Sequence, residues 1–235
     1  MLIRIPEDWE IPEREATPEH VYLNRRQLLK AAGFLGAEGL LLGANGNSPY
    51  PAKRNPEYTL DRPITEEWAA TSYNNFYEFD AMDKKAVRNK VGKFVVSPWQ
   101  IEVTGKVNKP RKFDLDELLR TMPFEERLYR FRCVERWAMA VPWTGFPFSE
   151  LVKLVEPKPD VKYVRFVTVH RPDQMPGVVQ ANWYPWPYYE GLRMDEAMNP
   201  LTLLVTGLYG KPLPKQNGAP IRIVTPWKYG YKSIK

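Results

Sequence analysis

One cysteine among 235 residues sets the first limit on this chain. It excludes both a disulfide scaffold and a cysteine-only zinc site, so the fold must rest on a buried apolar core. The composition supplies one, since 43% of residues are hydrophobic and eight tryptophans and thirteen tyrosines bring large side chains to fill it. With 26% charged residues the chain lies outside the range typical of disorder, and its 14 glycines follow no collagen period. The two histidines, His20 and His170, exclude a histidine-rich metal site and argue against a catalytic triad. No phosphate loop, dinucleotide fingerprint, HExxH or GxSxG motif occurs. No stretch reaches the roughly 18 apolar residues of a membrane span, and no span of its own is expected.

The sequence changes character near residue 44. Asn24-Arg25-Arg26-Gln27-Leu28-Leu29-Lys30 is a twin-arginine pattern, and the run from Ala31 to Ala44 is rich in Gly, Ala and Leu. That run is too short to span a bilayer and too plain for an amphipathic core helix, so residues 1–44 read as a twin-arginine signal peptide with an acidic leader. Proteins on that route cross already folded, commonly around a cofactor. A periplasmic location and a bound cofactor are therefore expected. Residues 45–235 hold 29 Lys and Arg against 21 Asp and Glu, a balance of +8. Their scatter favours solubility and steering of anions over nucleic-acid binding. Residues 45–63, rich in Pro and Asn and without a period, predict an extended arm, and residues 64–235 one folded domain.

Within that domain short elements alternate. Gln100 to Lys106 predicts a strand, and Asp114 an N-cap on a short helix that Pro123 ends. The run from Arg127 to Cys133 alternates so as to set Arg127, Tyr129, Phe131 and Cys133 on one face. Pro147 to Val155 predicts a helix with proline in its first turn. Tyr163–His170, Leu201–Thr206 and Ile221–Pro226 predict strands, and Met194–Met198 a short helix between the first two. Arg171 to Trp186, dense in Pro, Trp and Tyr, predicts a long loop of the kind that carries function. No βαβ period appears, so the expected class is α+β, mainly β.

The most informative stretch is Arg130-Phe131-Arg132-Cys133-Val134-Glu135-Arg136-Trp137. Basic neighbours favour the thiolate, which is both nucleophile and soft-metal ligand, whereas a lone cysteine is also commonly an inert core residue. The surrounding motifs go further. Tyr73-Asn74-Asn75-Phe76-Tyr77-Glu78-Phe79, Pro142-Trp143-Thr144-Gly145-Phe146-Pro147, the run from Glu190 to Met198, Gln216-Asn217-Gly218-Ala219-Pro220 and Pro226-Trp227-Lys228-Tyr229-Gly230 follow one another in order. Together with the leader and the cysteine motif they resemble the catalytic subunits of periplasmic molybdenum-dependent protein-methionine-sulfoxide reductases, within the sulfite oxidase fold family.

The resemblance implies a sulfite oxidase-like domain holding one Mo-molybdopterin, with the Cys133 thiolate on molybdenum beside two dithiolene sulfurs. It places Asn74, Tyr77, Glu78, Thr168, Asn217, Arg222, Ser233, Ile234 and Lys235 on the pterin. Amides and hydroxyls suit a flat polar heterocycle, and Arg, Lys and backbone N–H groups suit its phosphate. Glu135 is a second catalytic candidate, or else an ion-pair partner of Arg132 or Arg136. The implied activity is reduction of methionine sulfoxide in periplasmic proteins by oxygen atom transfer, with electrons from a haem-containing membrane subunit. The alternatives are sulfite oxidation, turnover of small S- or N-oxides, or a cofactor-free exported binding protein. Sulfite oxidases follow the metal cysteine with adjacent arginines, where this chain has Glu135, Arg136 and Trp137. Trp183-Tyr184-Pro185-Trp186 offers an apolar rim for a methionine side chain, or fills core. Arg136 stands where the best-known member of that family has a small residue. The chain stops on the last cofactor motif, so a C-terminal part of the domain is expected to be missing.

Overall fold

The computed structural model describes residues 48–83, 85–133 and 137–228. The chain divides between Asn45 and Gly46, and every described residue belongs to the second unit. The twin-arginine segment, Glu135, Arg136, Ser233, Ile234 and Lys235 lie outside the described residues. Among the described residues no helix is long and apolar enough to cross a membrane.

The elements run in chain order as α1 (Glu67–Ser72), α2 (Val87–Lys90), β1 (Gln100–Val103), β2 (Arg111–Asp114), α3 (Leu115–Thr121), β3 (Glu125–Arg132) and β4 (Ala138–Pro147). They continue as α4 (Phe148–Val155), β5 (Tyr163–Val167), α5 (Pro176–Gln180), β6 (Tyr189–Arg193) and α6 (Met194–Ala197). The last are β7 (Leu203–Leu208), β8 (Lys211–Pro212), a 3-10 turn (Lys215–Asn217) and β9 (Arg222–Val224). This is an α+β fold in which sheet dominates. A five-stranded antiparallel sheet has the order β3-β4-β7-β8, with β9 also paired to β7, and β1-β2 and β5-β6 form separate two-stranded sheets.

At its centre, along β7, the five-stranded sheet is buried on both faces, which its sequence explains. Every residue of β7, Leu203-Leu-Val-Thr-Gly-Leu208, is buried, and alternate side chains go to opposite cores. Leu204, Phe146 and Ile223 join Phe76, Phe79, Phe94 and Trp99 on one side. Leu203, Val205, Val141 and Trp143 join Phe131 and Cys133 on the other. A strand with two dry faces reads as a continuous apolar run, since neither parity needs to be polar. Full burial of each such side chain contributes about 1.5–3 kcal/mol. Residues 53–55 lie along β3, with the Glu126 N–H donating to the Lys53 carbonyl at 2.9 Å and the Asn55 N–H to the Glu126 carbonyl at 2.8 Å.

Three local expectations shift. Asp114 does precede α3, but its carboxylate accepts from the Gln100 side-chain amide at 2.8 Å instead of capping the helix. Pro147 is the N-cap of α4, one position before its first turn. The Arg171–Trp186 segment contains α5, started by Pro176 at the first helical position, where its missing N–H is harmless.

Candidate active site

The site forms where three stretches distant in sequence meet. The first is the turn that leaves α1. Asn74, Phe76 and Glu78 have no exposed surface and Asn75 almost none, and the turn is closed by the Phe79 and Asp80 N–H groups donating to the Phe76 carbonyl at 3.0 and 3.3 Å. Asp80 anchors it. Its carboxylate accepts from the Met82 and Asp83 N–H groups at 2.8 and 2.9 Å and pairs with Lys90 at 2.6 Å. Burial pushes the Asp80 pKa up, but Lys90 and the two N–H groups outweigh it and hold the carboxyl below the ordinary range. A depressed folded-state pKa stabilises above the unfolded value and is lost as pH falls through the folded one. We therefore expect Asp80→Asn to destabilise by about 2 kcal/mol at neutral pH. The gap from wild type should narrow below about pH 4 in urea titrations at stepped pH. A gap that stays constant across that range would show that the charge of Asp80 does not hold the turn.

The second stretch is the end of β3. Its alternation buries Arg127, Tyr129, Phe131 and Cys133 and exposes Arg130 and Arg132. Cys133, just past the strand, is a buried free thiol whose N–H donates to the Trp137 carbonyl at 2.9 Å. The Asn75 side-chain amide donates to its sulfur at 3.1 Å, tying the first stretch to the second.

The third stretch is the turn from Asn217 to Arg222. Gly218 sits at φ 98°, a left-handed conformation that ends the 3-10 turn, and a Cβ added there would lie 3.0 Å from both the Phe76 ring and the Arg222 side chain. Asn217 donates from its amide to the Ala70 carbonyl at 2.9 Å. The Arg222 guanidinium is buried, donates to the Asn217 carbonyl at 3.2 Å and lies 5.4 Å from the ring centroids of both Phe76 and Trp143. A fourth element packs on the first: Gly177 of α5 lies against the backbone of Tyr77, Glu78 and Asp80, and the Val178 N–H donates to the Glu78 carbonyl at 3.2 Å. Thr168, buried just after β5, donates its N–H to the Tyr188 carbonyl at 2.9 Å, and it shares one cleft with Arg222.

The expected residues thus come together in part. Asn74, half-buried Tyr77, Glu78, Cys133, Asn217 and Arg222 belong to the three converging stretches, and Thr168 reaches them along the cleft. Glu135 and the 233–235 motif lie outside the described residues. Sequence reading missed Asn75 and Gly177. Asn75 stands in the same motif as Asn74, but only the fold shows which of the two amides turns to the sulfur. The Glu78 charge is felt by Tyr184 and Tyr188. Burial first, and nearby negative charge after it, holds both phenols in the neutral form.

A family model described as the oxidoreductase molybdopterin binding domain matches residues 88–235. The chain belongs to this family. Over 237 aligned residues it is 48% identical to the protein-methionine-sulfoxide reductase catalytic subunit MsrP of Burkholderia mallei, covering 96% of this chain and 71% of that protein. The same identity and span link it to the MsrP of Ralstonia nicotianae, of which 70% is covered. Among solved structures, the sulfane dehydrogenase SoxCD of Paracoccus pantotrophus superposes with a TM-score of 0.49 at 20% identity, over 61% of this chain and 38% of that one.

The residues present fit the group this family is described as binding. Both polar atoms of the Asn74 amide are buried and find no hydrogen-bond partner among the described residues, and the same holds for Asn75 Oδ1. Buried amide groups left so are strongly disfavoured unless a ligand meets them. Among the described residues no three His, Cys, Asp or Glu side chains gather to hold a metal ion. Cys133 is the side chain at this junction whose chemistry suits a soft metal.

Proposed function

We propose that this chain is the catalytic part of a molybdenum-dependent reductase of methionine sulfoxide in periplasmic proteins. The observation that carries this reading is the junction at Cys133: a buried thiol 3.1 Å from one asparagine amide, beside a second amide with no partner among the described residues. The 48% identity to two MsrP catalytic subunits supports it. Thiolate is a soft ligand suited to a metal already coordinated by sulfur. When bound, the molybdopterin centre supplies the two-electron chemistry that moves an oxygen atom off a sulfoxide sulfur.

The chain's own residues bind and orient. Asn74, Asn217 and Thr168 offer amide and hydroxyl groups to the pterin, and Arg222 a guanidinium to its phosphate. Cys133 fixes the metal, and Asn75 fixes the Cys133 sulfur by donating to it. Trp143, Phe76 and Phe131 exclude water from that side. Glu78 is held without exposed surface in the turn that leaves α1, and Tyr77, Glu78, Ser233, Ile234 and Lys235 complete the cofactor contacts in this reading. Glu135, two positions past Cys133, stands near in sequence to supply a proton to the oxygen that is released as water. Trp183, 72% exposed, offers an apolar face to an incoming methionine side chain. Re-reduction calls for a haem-containing membrane partner.

The test is molybdenum per chain in protein recovered from the periplasmic fraction of a molybdopterin-competent host. We expect close to one metal per chain, and faster turnover of protein-bound methionine sulfoxide with a reduced dye than of sulfite with an oxidised acceptor. Protein without molybdenum would turn the assignment to a cofactor-free binding protein. Faster sulfite oxidation would turn it to a sulfite oxidase.

A further inference from the structure

The β3–β4 hairpin ends on a rung that the candidate site uses twice. Its register pairs Arg132 with Ala138, and the Cys133 N–H donating to the Trp137 carbonyl at 2.9 Å adds one rung beyond that pair. Residues opposite each other on an antiparallel ladder send their side chains to the same face. Cys133 and Trp137 accordingly pack on the same core cluster.

The exit of α1 meets both members of this rung. Tyr73, the extended residue that closes α1 at φ −109° and ψ 112°, meets the Trp137 ring in a T-shaped contact, with centroids 5.6 Å apart and planes at 70°. Two positions on, the Asn75 amide donates to the Cys133 sulfur at 3.1 Å. One short segment thus touches one rung through a ring pair on one side and a hydrogen bond on the other. The two contacts differ in what they can hold. Asn75 Oδ1 is buried and has no hydrogen-bond partner among the described residues, so the amide gains no grip from its own oxygen. The ring pair has a large contact area and a preferred edge-to-face geometry. The Lys85 ammonium, 5.5 Å from the Tyr73 ring centroid, steadies that ring from its face. Asp80 and Gly177 hold the far end of the same turn, and Tyr73 holds the near end.

Resting on the proposed activity for the metal, we propose that Tyr73 and Trp137 are positioning residues. Their ring contact sets the hydrogen bond from Asn75 to Cys133, and through it tunes the thiolate offered to molybdenum. A donor on a metal-bound thiolate draws electron density from the sulfur, which raises the reduction potential of the centre. An aliphatic side chain in place of either ring no longer fixes the segment, and the amide withdraws from the sulfur.

The test compares Trp137→Leu and Tyr73→Leu with Trp137→Phe and Tyr73→Phe, which keep a ring. Tyr58→Leu is the control, because Tyr58 packs on the same cluster and forms a ring pair of matching geometry with Tyr129, at 5.6 Å and 76°. In the full chain without metal, the nitrogen-15 NMR signal of the Asn75 side-chain amide, identified by its loss in Asn75→Ser, reads the hydrogen bond. Both leucine variants should move that signal toward a free amide, and both phenylalanine variants and Tyr58→Leu should leave it in place. In the molybdenum-loaded chain the leucine variants should lower the midpoint potential and shift sulfur-to-metal charge-transfer absorption to longer wavelength. Dye-linked turnover should slow about tenfold. The two leucine variants test one contact from its two sides, so the folding of either suffices. An unchanged amide signal in them, an unchanged potential, or an equal change in Tyr58→Leu would overturn the proposal. A wild-type chain that loads molybdenum and reduces sulfoxide, beside unaltered leucine variants, sinks the ring pair alone. A shifted amide signal in a chain that binds no molybdenum sinks the proposed activity alone.

Discussion

Replacing Cys133 with serine leaves a folded chain that has lost its redox activity. The side chain is 3% exposed and packs among Phe131, Met139 and Trp143. Serine nearly conserves its volume, and the Asn75 amide that donates to the sulfur at 3.1 Å can donate to a hydroxyl in the same place. The stability loss should therefore stay near about 1 kcal/mol, the desolvation of one hydroxyl with a partner to meet it. The metal fares differently. A hard, protonated oxygen is a poor substitute for thiolate on a soft centre, and on the proposed reading the thiolate that would hold the metal is lost, so turnover should fall by roughly 100-fold or more. On the proposed reading the pterin would keep the contacts of Asn74, Asn217 and Arg222, so pterin content should persist while dye-linked sulfoxide reduction disappears. Thermal melting, pterin fluorescence after oxidation and the activity assay together check this. A Cys133→Ser protein with wild-type turnover would reduce Cys133 to packing.

Some of this arrangement can be read in the sequence because the physics is local. The parity of β3 follows from its alternation, which fixes Arg127, Tyr129, Phe131 and Cys133 inward without reference to any partner. The burial of β7 is legible as an unbroken apolar run. By contrast β4, the longest strand, is hidden by Pro142 and Pro147 within its own span. Proline removes a donor and usually marks an edge or an end. Here Pro142 still serves the sheet through its carbonyl, which accepts the Tyr209 N–H at 3.1 Å.

The site is legible in its residue types and not in its pairings. The Asn74-Asn75 doublet gives two amides of equal standing, and the choice between them is made by Cys133, 58 positions away. The aromatic loop shows the same limit. Trp183 is exposed, but Trp186 is half-buried, donates its indole N–H to the Ala181 carbonyl at 2.8 Å and lies 4.7 Å from the Tyr184 ring centroid. One ring of the expected rim thus faces solvent while the other packs within the loop.

Gly177→Ala should damage the site more than any change to its polar residues, because the added carbon meets backbone on every side. A Cβ at this position would lie 2.0 Å from the Tyr77 carbonyl oxygen, 2.7 Å from the Glu78 carbonyl carbon and 2.8 Å from the Asp80 nitrogen. None of these can rotate away as a side chain would, so α5 and the turn from Phe76 to Asp80 must part. Overpacking of this kind costs about 1–3 kcal/mol, and a contact with three backbone atoms belongs at the upper end. The same displacement carries Asn74, Asn75 and Glu78 away from Cys133, since the Asn75 bond to the sulfur and the Asp80 anchor belong to one turn. Metal content should therefore drop along with stability. Gly92→Ala is the matched control: nothing lies within 4 Å of a Cβ there, and its φ is not in the left-handed range. That variant should melt within about 0.5 kcal/mol of wild type or slightly above it, with full metal. Melting curves and molybdenum per chain for the two variants separate the outcomes. If Gly177→Ala melts and loads like Gly92→Ala, α5 yields freely and does not set the position of the Asn74–Glu78 turn.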